Sequence, residues 1–217
     1  MGLISNMHLY DSTIPSGNAY KVRLLLSHLK IPYTTTNLNI LSVPPETRSV
    51  EFLAMNPNGR IPTLVLNDGT VLAESNAILF YLAEGTDYLP DDKLQKAQAL
   101  QWLFFEQYSH EPYVAVWKFR TYWAPGGFDD LCESEVKKLR ERGQEAIDVM
   151  ETHLGSGREW FVGDHYSIAD IALYAYTSAA EMIGFKIDGS VKAWLKRVEQ
   201  QEEWIKIKND PTGKCLS

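Results

Sequence analysis

The pattern of hydrophobic and polar positions changes near residue 86. Before that point, short apolar runs of strand length alternate with segments of helical periodicity. A turn signal at 67–70, Asn-Asp-Gly-Thr, separates two of these runs, so we expect those two strands to be antiparallel. This part of the chain is therefore predicted to be a mixed α/β domain. The predicted strands cover 7–10, 32–38, 62–66 and 70–73, and the predicted helices cover 17–30, 48–55 and 75–84.

A linker that contains Pro90 follows. After it, the sequence shows no further pattern of strand type, and long segments have the hydrophobic periodicity of helices. Ser167 and Asp170 have the spacing of a reciprocal capping box at the start of one of these helices, which predicts a structural role for both. The predicted helices cover 92–122, 129–154, 168–184 and 190–208. We divide the chain into an α/β domain at 1–84, a linker at 85–91 and an all-helical domain at 92–217.

The composition is that of an ordinary globular protein, with 217 residues, 45% hydrophobic and 23% charged. The net charge of -7 argues against nucleic acid as a partner, because such binding needs a basic surface. The sequence contains neither an apolar run of membrane-span length nor an N-terminal signal core, so we expect a cytoplasmic protein with no membrane partner. The two cysteines, Cys132 and Cys215, form no C-x-x-C pair, and we expect no metal.

The most informative segment runs from Asn56 to Leu66 and reads NPNGRIPTLVL. Pro62 stands at the start of an apolar run, and an X-Pro bond is where a cis peptide costs least. A cis bond would turn the backbone N–H and C=O of Ile61 outward, where they could pair with a peptide-like ligand. Twelve residues later, Glu74 and Ser75 open an apolar helix. Its unpaired N–H groups favour a carboxylate and Glu74 favours an ammonium, so the segment predicts a site for an amino-acid headgroup.

These two motifs resemble the glutathione-binding half of the cytosolic glutathione S-transferase family. Three further segments, 9–11, 16–23 and 160–170, are similar to the family's first strand, first helix and C-terminal signature, so the resemblance covers about residues 7 to 208. It implies a thioredoxin-like N-terminal domain, a cis Pro62 and a homodimer, with the branch (bacterial-type, similar to theta, nu or beta) left unassigned. The glutathione-binding residues that it implies are Arg60, Ile61, Pro62, Glu74, Ser75 and, at a helix further on, Glu106.

Ser16, Gly17 and Asn18 stand between the first predicted strand and the first helix, where anions are favoured. Lowering a thiol pKa by about two units requires about 2.7 kcal/mol. A helix dipole supplies only about 0.3 to 1 kcal/mol, whereas each charge-assisted hydrogen bond supplies about 1.5 to 3 kcal/mol. We therefore predict that Ser16 or Asn18 stabilises the glutathione thiolate. Ser12 and Tyr10 follow them as further possibilities.

Aromatic residues crowd the segment from Trp102 to Trp123, and they are too many for one buried helix face. An aromatic-walled cleft suits flat apolar substrates. The resemblance implies that Tyr108, Glu111 and Trp117 line the pocket for the electrophile, and we add Tyr10 from the first strand. The alternative is that these residues pack between helices or across a dimer contact.

Three classes of function remain open at this point. The first is a transferase that conjugates glutathione to hydrophobic electrophiles. The second is a glutathione-dependent disulfide reductase or peroxidase, which is favoured if Asn18 faces the sulfur in place of Ser16. The third is a non-catalytic interaction module with the same fold, and the hydroxyl of Ser16 together with Glu74 and Ser75 argues against it.

Overall fold

A computed structural model describes residues 6–207. Its N-terminal part contains a four-stranded sheet in the order β2-β1-β3-β4. Strand β1 pairs with β2 in parallel and with β3 antiparallel, and β3 pairs antiparallel with β4, which confirms the predicted hairpin. The elements of this part are β1 (His8–Ser12), α1 (Gly17–His28), β2 (Thr34–Leu38), a single 3-10 turn (Glu46–Arg48), α2 (Val50–Met55), β3 (Thr63–Val65), β4 (Val71–Ala73) and α3 (Ser75–Ala83).

The part that follows is helical throughout its described residues, as the loss of strand signals predicted. Together the two parts confirm the predicted fold class, an α/β sheet region followed by an all-helical region. The domain boundaries at 84 and 92 stay predictions. The helices are α4 (Lys93–Phe105), α5 (Glu111–Tyr122), α6 (Glu133–Gly155), α7 (Ile168–Thr177) and α8 (Gly189–Glu199).

Several helices are shorter than the sequence predicted. The long helical period at 92–122 is interrupted by a π-helical turn at Glu106–His110, which the hydrophobic periodicity of the sequence does not reveal. The helix predicted at 168–184 ends at Thr177, whose hydroxyl donates to the carbonyl of Leu173 at 2.7 Å. The helix predicted at 190–208 ends at Glu199, and residue 208, like Cys215, lies outside the described residues.

One hydrophobic core runs through both parts of the chain, from Leu9 and Leu64 in the sheet to Trp194 in α8. Helix α1 joins the parts because it packs on α3 and on α7. Gly17 makes this possible at the first turn of α1. A Cβ at this residue would lie 2.5 Å from the ring of Tyr176, so only glycine lets α7 approach so closely.

The predicted capping box at the start of α7 is present, with Ser167 as its N-cap. The carboxylate of Asp170 accepts hydrogen bonds from the backbone N–H of Ser167 at 3.0 Å, from that of Phe161 at 3.2 Å and from the Trp194 indole at 2.9 Å. These hydrogen bonds tie α7 to α8 and to the segment before α7, and the Asp170 side chain that accepts them is fully buried. This confirms the structural role predicted for it.

Candidate functional site

A cleft of about 360 Å³ lies between the start of α1, the loop before β3, the start of α3 and helix α5. This volume is in the range of small-molecule sites. Eight of the predicted site residues line it: Ser16, Asn18, Arg60, Ile61, Pro62, Glu74, Ser75 and Glu111.

The loop before β3 is held in shape by Asn56, which is buried. Its amide donates to the carbonyl of Arg60 at 2.8 Å and to the hydroxyl of Thr63 at 2.9 Å. The Ile61-Pro62 peptide bond is cis, as predicted. Gly59 has a positive φ of 61°, and a Cβ there would lie 2.9 Å from the carbonyl oxygen of Thr47, so this turn requires glycine. These contacts fix the backbone of Ile61, which forms part of the wall of the cleft.

Glu74 and Ser75 form the next wall, at the start of α3. Glu74 has a φ of 69°, a conformation that residues with a side chain rarely adopt and that functional sites sometimes hold. Its carboxylate accepts from the amide of Asn58 at 3.3 Å. Ser75 is buried, and its hydroxyl donates to Oδ1 of Asn18 at 3.3 Å. The two residues therefore sit beside both the Ile61 loop and the start of α1.

The start of α1 brings Ser16 and Asn18 into the same cleft. Ser16 is the N-cap, and its Oγ accepts from the backbone N–H of Ala19 at 3.2 Å. That contact uses a lone pair and leaves the hydroxyl hydrogen available to a ligand. The amide nitrogen Nδ2 of Asn18 donates to Glu111 at 3.3 Å. Both candidates for the thiol-facing role therefore carry a donor in the cleft, and the geometry of the protein leaves the choice between them open.

Lys21 organises the polar groups behind this wall. Its ammonium lies 2.7 Å from Oε2 of Glu106 and donates to Oδ1 of Asn18 at 2.8 Å. It also reaches the hydroxyl of Ser75 at 3.5 Å. Because Lys21 holds Oδ1 of Asn18, the amide nitrogen of that residue is turned the other way, towards Glu111. The buried cation thus fixes the direction in which the amide nitrogen of Asn18 can donate.

Two further groups belong to this region. Burial raises the pKa of the Glu111 carboxyl, although the charge of Lys21 opposes the shift. Tyr176 lines the cleft from α7, and its hydroxyl oxygen accepts from the backbone N–H of Asn18 at 3.2 Å. Burial raises the pKa of Tyr176 well above its ordinary value, so its hydroxyl stays protonated. Tyr176 caps the first turn of α1 from another helix.

Four predicted site residues, and also Ser12, are not among those that line the cleft, which corrects their expected placement. The hydroxyl of Ser12 accepts from the backbone N–H of Ile14 at 3.2 Å. Glu106 is fully buried behind the wall of the cleft, where its carboxylate pairs with Lys21. The structure therefore does not support the predicted contact between Glu106 and the glutathione amine. Tyr108 is 83% exposed on the π-helical turn. Both residues follow α4 into that turn, which rotates the chain away from the ideal helical register assumed from the sequence.

Trp117 and Tyr10 are engaged elsewhere in the fold. The indole N–H of Trp117 donates to the carbonyl of Ile183 at 3.1 Å, and its ring centroid lies 4.6 Å from that of Phe128. The ring of Tyr10 meets Phe52 edge-on, with centroids 5.6 Å apart. These aromatic side chains pack between elements, which is the alternative that the sequence left open for them.

Other residues of the cleft and its surroundings were not predicted as site residues. Lys21 and Tyr176 are two of them, and Lys118, Phe119 and Trp123 line the end of the cleft formed by α5. A weak signal for the lysines exists in the sequence, since each lies among apolar or aromatic residues of a helix, two residues before an arginine. Tyr176 carries no such signal, because its position depends on how α7 packs on α1.

Within residues 6–207, no group of three or more His, Cys, Asp or Glu side chains is arranged to hold a metal ion. None of the helices described in this range is both long and apolar enough to cross a membrane.

The chain matches two sequence families along most of its length. The family Glutathione S-transferase, N-terminal domain, matches residues 15–84, and the family Glutathione S-transferase, C-terminal domain, matches residues 99–202. The Glutathione S-transferase-like protein LUC7 of Fusarium sp is 32% identical over 214 residues, which cover 92% of this chain and 92% of that protein.

Solved structures agree with these matches. A glutathione S-transferase from Pseudomonas fluorescens Pf-5 is 45% identical, with a TM-score of 0.85 over 93% of this chain and 98% of the other. Ure2p in complex with glutathione is 25% identical, with a TM-score of 0.80 over 94% of this chain and 92% of the other.

Proposed function

We propose, from the premise that this chain belongs to the glutathione S-transferase family, that it conjugates glutathione to hydrophobic electrophiles. The observation that carries the proposal is the meeting of Ser16 and Asn18 with Ile61, Glu74 and Ser75 in one cleft. The first pair supplies donors for a thiolate, and the other three supply the contacts that an amino-acid headgroup and a peptide backbone require. The proposed site of action is the cytoplasm, in keeping with the cytosolic members that the sequence resembles.

In the proposed mechanism, the backbone of Ile61 pairs with the peptide part of glutathione. Ser75 and the N–H groups at the start of α3 bind its γ-glutamyl carboxylate, and Glu74 binds its ammonium. The sulfur then lies at the start of α1, where a donor from Ser16 or Asn18 lowers its pKa. The thiolate attacks an electrophile held against the apolar wall of α5, and proximity supplies much of the rate enhancement.

The test is an assay of glutathione conjugation with a generic aryl halide, run beside the reduction of a small disulfide and calorimetry of glutathione binding. We expect conjugation to exceed the uncatalysed rate and to saturate in both substrates. Glutathione binding without conjugation or disulfide reduction would contradict the proposal and favour a non-catalytic interaction module.

A second candidate function is glutathione-dependent disulfide reduction. The orientation of Asn18 favours it, because Lys21 holds Oδ1 and leaves Nδ2 directed into the cleft region beside Glu111. In that reaction the acceptor would be a second sulfur compound in place of an electrophilic carbon. A faster reduction of the small disulfide than conjugation of the aryl halide would support this candidate.

We also propose a homodimer, as the family resemblance implies. Phe104 and Tyr108 are 71% and 83% exposed and line one shallow apolar depression at the end of α4. Two large exposed aromatic side chains in one patch are typical of an interaction surface. Sedimentation at micromolar concentration should give twice the mass of the chain, and a monomer there would contradict the proposal.

A further inference from the structure

The thiol of glutathione must lose a proton before the sulfur reacts. Ser16 and Asn18 can donate hydrogen bonds to a thiolate, but a serine hydroxyl and a side-chain amide do not take up a proton at neutral pH. Among the described residues that line the cleft there is no histidine and no cysteine. The side chains of the cleft that can titrate are Arg60, Glu74, Glu111, Lys118 and Tyr176.

One of these five side chains is suited to accept the thiol proton. Arg60 is a cation, and burial lowers the pKa of Lys118 to about 8, which still leaves it mostly protonated at neutral pH. Burial raises the pKa of Tyr176 well above its ordinary value, so this hydroxyl also keeps its proton. Glu74 binds the ammonium of glutathione in the proposed mechanism. The carboxylate of Glu111 is therefore the acceptor that the cleft offers.

Glu111 lies next to the place proposed for the sulfur. It begins α5, the helix that forms the apolar wall of the cleft, and its side chain reaches across to α1. Its Oε1 accepts from Nδ2 of Asn18 at 3.3 Å. Because an amide nitrogen carries two hydrogens, Nδ2 can donate to Glu111 and to a sulfur at the same time. A sulfur at the start of α1 is thus within reach of this carboxylate, directly or through one water.

The charges around Glu111 suit a group that gains and loses a proton. Lys21 from α1 and Arg60 from the loop before β3 favour its anion, whereas Glu106 from the π-helical turn and burial favour its protonated form. Burial is the largest of these effects, so the pKa of the Glu111 carboxyl is raised. Tyr176 faces it from α7 with a neutral hydroxyl. A raised carboxyl pKa and a lowered thiol pKa approach each other, which favours proton transfer between the two groups.

We propose that Glu111 accepts the thiol proton of glutathione and holds it while the thiolate reacts. The S–H bond breaks, its electron pair stays on the sulfur, and the proton forms an O–H bond with the carboxylate. The negative charge moves from the carboxylate to the sulfur, so the partly buried cleft avoids two neighbouring anions. The thiolate then forms the C–S bond, the leaving group departs with its bonding electrons, and Glu111 returns the proton to the solvent.

This inference rests on the proposed function and adds a catalytic residue to it. The family resemblance implies Glu111 only as part of the wall that binds the electrophile. Here its carboxylate contacts the reacting thiol, while the donors at the start of α1 stabilise the thiolate.

The test counts the protons that are released when glutathione binds. Calorimetry in two buffers of different ionisation enthalpy gives the protons released per ligand bound, and ultraviolet difference absorbance gives the thiolate formed per site. S-methylglutathione, which has no thiol proton, is the reference ligand for every other proton exchange. The proteins are the wild type, Glu111→Gln and, as a control for net charge, Glu145→Gln on the exposed surface of α6.

We expect the wild type at neutral pH to release far fewer protons than the thiolates it forms, because the thiol proton stays on Glu111. Glu111→Gln keeps an oxygen that can accept from Asn18 but cannot take up a proton. At a pH where this variant forms thiolate, the release should rise to about one proton per thiolate. Glu145→Gln should behave as the wild type. A purely structural role of Glu111 would not change the proton count.

A release of about one proton per thiolate in the wild type would overturn the inference, while glutathione binding and conjugation would remain. An unchanged, small release in Glu111→Gln would also overturn it, because another group, such as a carboxylate of glutathione itself, would then hold the proton. An equal rise in Glu145→Gln would trace the effect to net charge and overturn it as well.

Binding of S-methylglutathione reports whether each variant is folded. If Glu111→Gln does not fold, the proton count of the wild type decides. Failure of the wild type to bind glutathione would overturn the proposed function and this inference with it.

Discussion

The ammonium of Lys21 lies 2.7 Å from Oε2 of Glu106, and both side chains are fully buried. Asn76 donates to the same carboxylate oxygen at 3.0 Å, and Lys21 also donates to Asn18. The pair therefore connects helix α1, the start of α3 and the π-helical turn after α4. A buried ion pair adds little net stability, but removing one partner leaves an uncompensated charge.

We expect Lys21→Met to lower the free energy of unfolding by about 3 to 5 kcal/mol, because Glu106 would be left buried without its cation. Glu106→Gln should cost a similar amount. The double variant Lys21→Met with Glu106→Gln should cost clearly less than the sum of the two. Urea denaturation of the four proteins measures this coupling, and additive losses would show that the two charges act independently.

Ser75→Ala should weaken glutathione binding by about 1.5 to 3 kcal/mol, the scale of a hydrogen bond to a charged group. The reason is that the Ser75 hydroxyl stands at the start of α3, where we place the γ-glutamyl carboxylate. Isothermal calorimetry measures the affinity. Ser49→Ala, which removes a hydroxyl from the N-cap of α2, is a matched control and should leave affinity unchanged. Equal affinity in wild type and Ser75→Ala would refute the assignment.

Ser16→Ala should raise the apparent pKa of bound glutathione by about one unit or more, equivalent to about 1.4 kcal/mol, while its affinity stays nearly intact. The hydroxyl hydrogen of Ser16 is available to the sulfur, whereas the headgroup contacts lie at α3. Thiolate absorbance against pH measures the shift, and conjugation lost at neutral pH should recover as pH rises.

Asn18→Ala is the comparison for that experiment. If this variant loses thiolate absorbance and rate while Ser16→Ala keeps both, then Asn18 faces the sulfur. Disulfide reduction would then become the preferred function.

His110 should make stability depend on pH. Burial, reinforced by the charge of Lys21, lowers the pKa of His110 to about 3. The hydroxyl of Thr177 donates to Leu173, so the imidazole Nε2, 2.9 Å from that hydroxyl oxygen, carries the proton of the neutral ring. The unfolded chain binds a proton at this side chain below pH about 6.5 and the folded chain does not. The stabilising contribution is therefore complete above that pH and is lost as pH falls towards 3.

We expect the wild type to lose about 1.4 kcal/mol per pH unit more than His110→Gln at pH values below about 6. Urea denaturation of both proteins at pH 7.5, about 6 and about 5 measures the difference in slope. Glutamine can still donate to Thr177, so the hydrogen bond is retained while the titrating group is removed. Parallel slopes would contradict a neutral buried imidazole.

The sequence determined the features that depend only on interactions between residues close together in the chain. The turn before β4, the cis bond before Pro62 and the capping box of Ser167 with Asp170 each depend on a few contiguous residues, and all three are present. The wall formed by Ile61, Glu74 and Ser75 follows from the same kind of local signal, because a loop and a helix start fix where their backbone groups point.

Only the tertiary structure decided which side chains of the long helices face the cleft. Tyr108 and Trp117 fit an aromatic pocket by sequence, yet the π-helical turn and the contact with Ile183 direct them elsewhere. Lys21 and Tyr176 join the site because α1 packs on α3 and α7, a contact between residues far apart in the chain. Periodicity gives a helix its apolar face, but the partner that covers this face is set by long-range packing, and so is the remaining wall of the cleft.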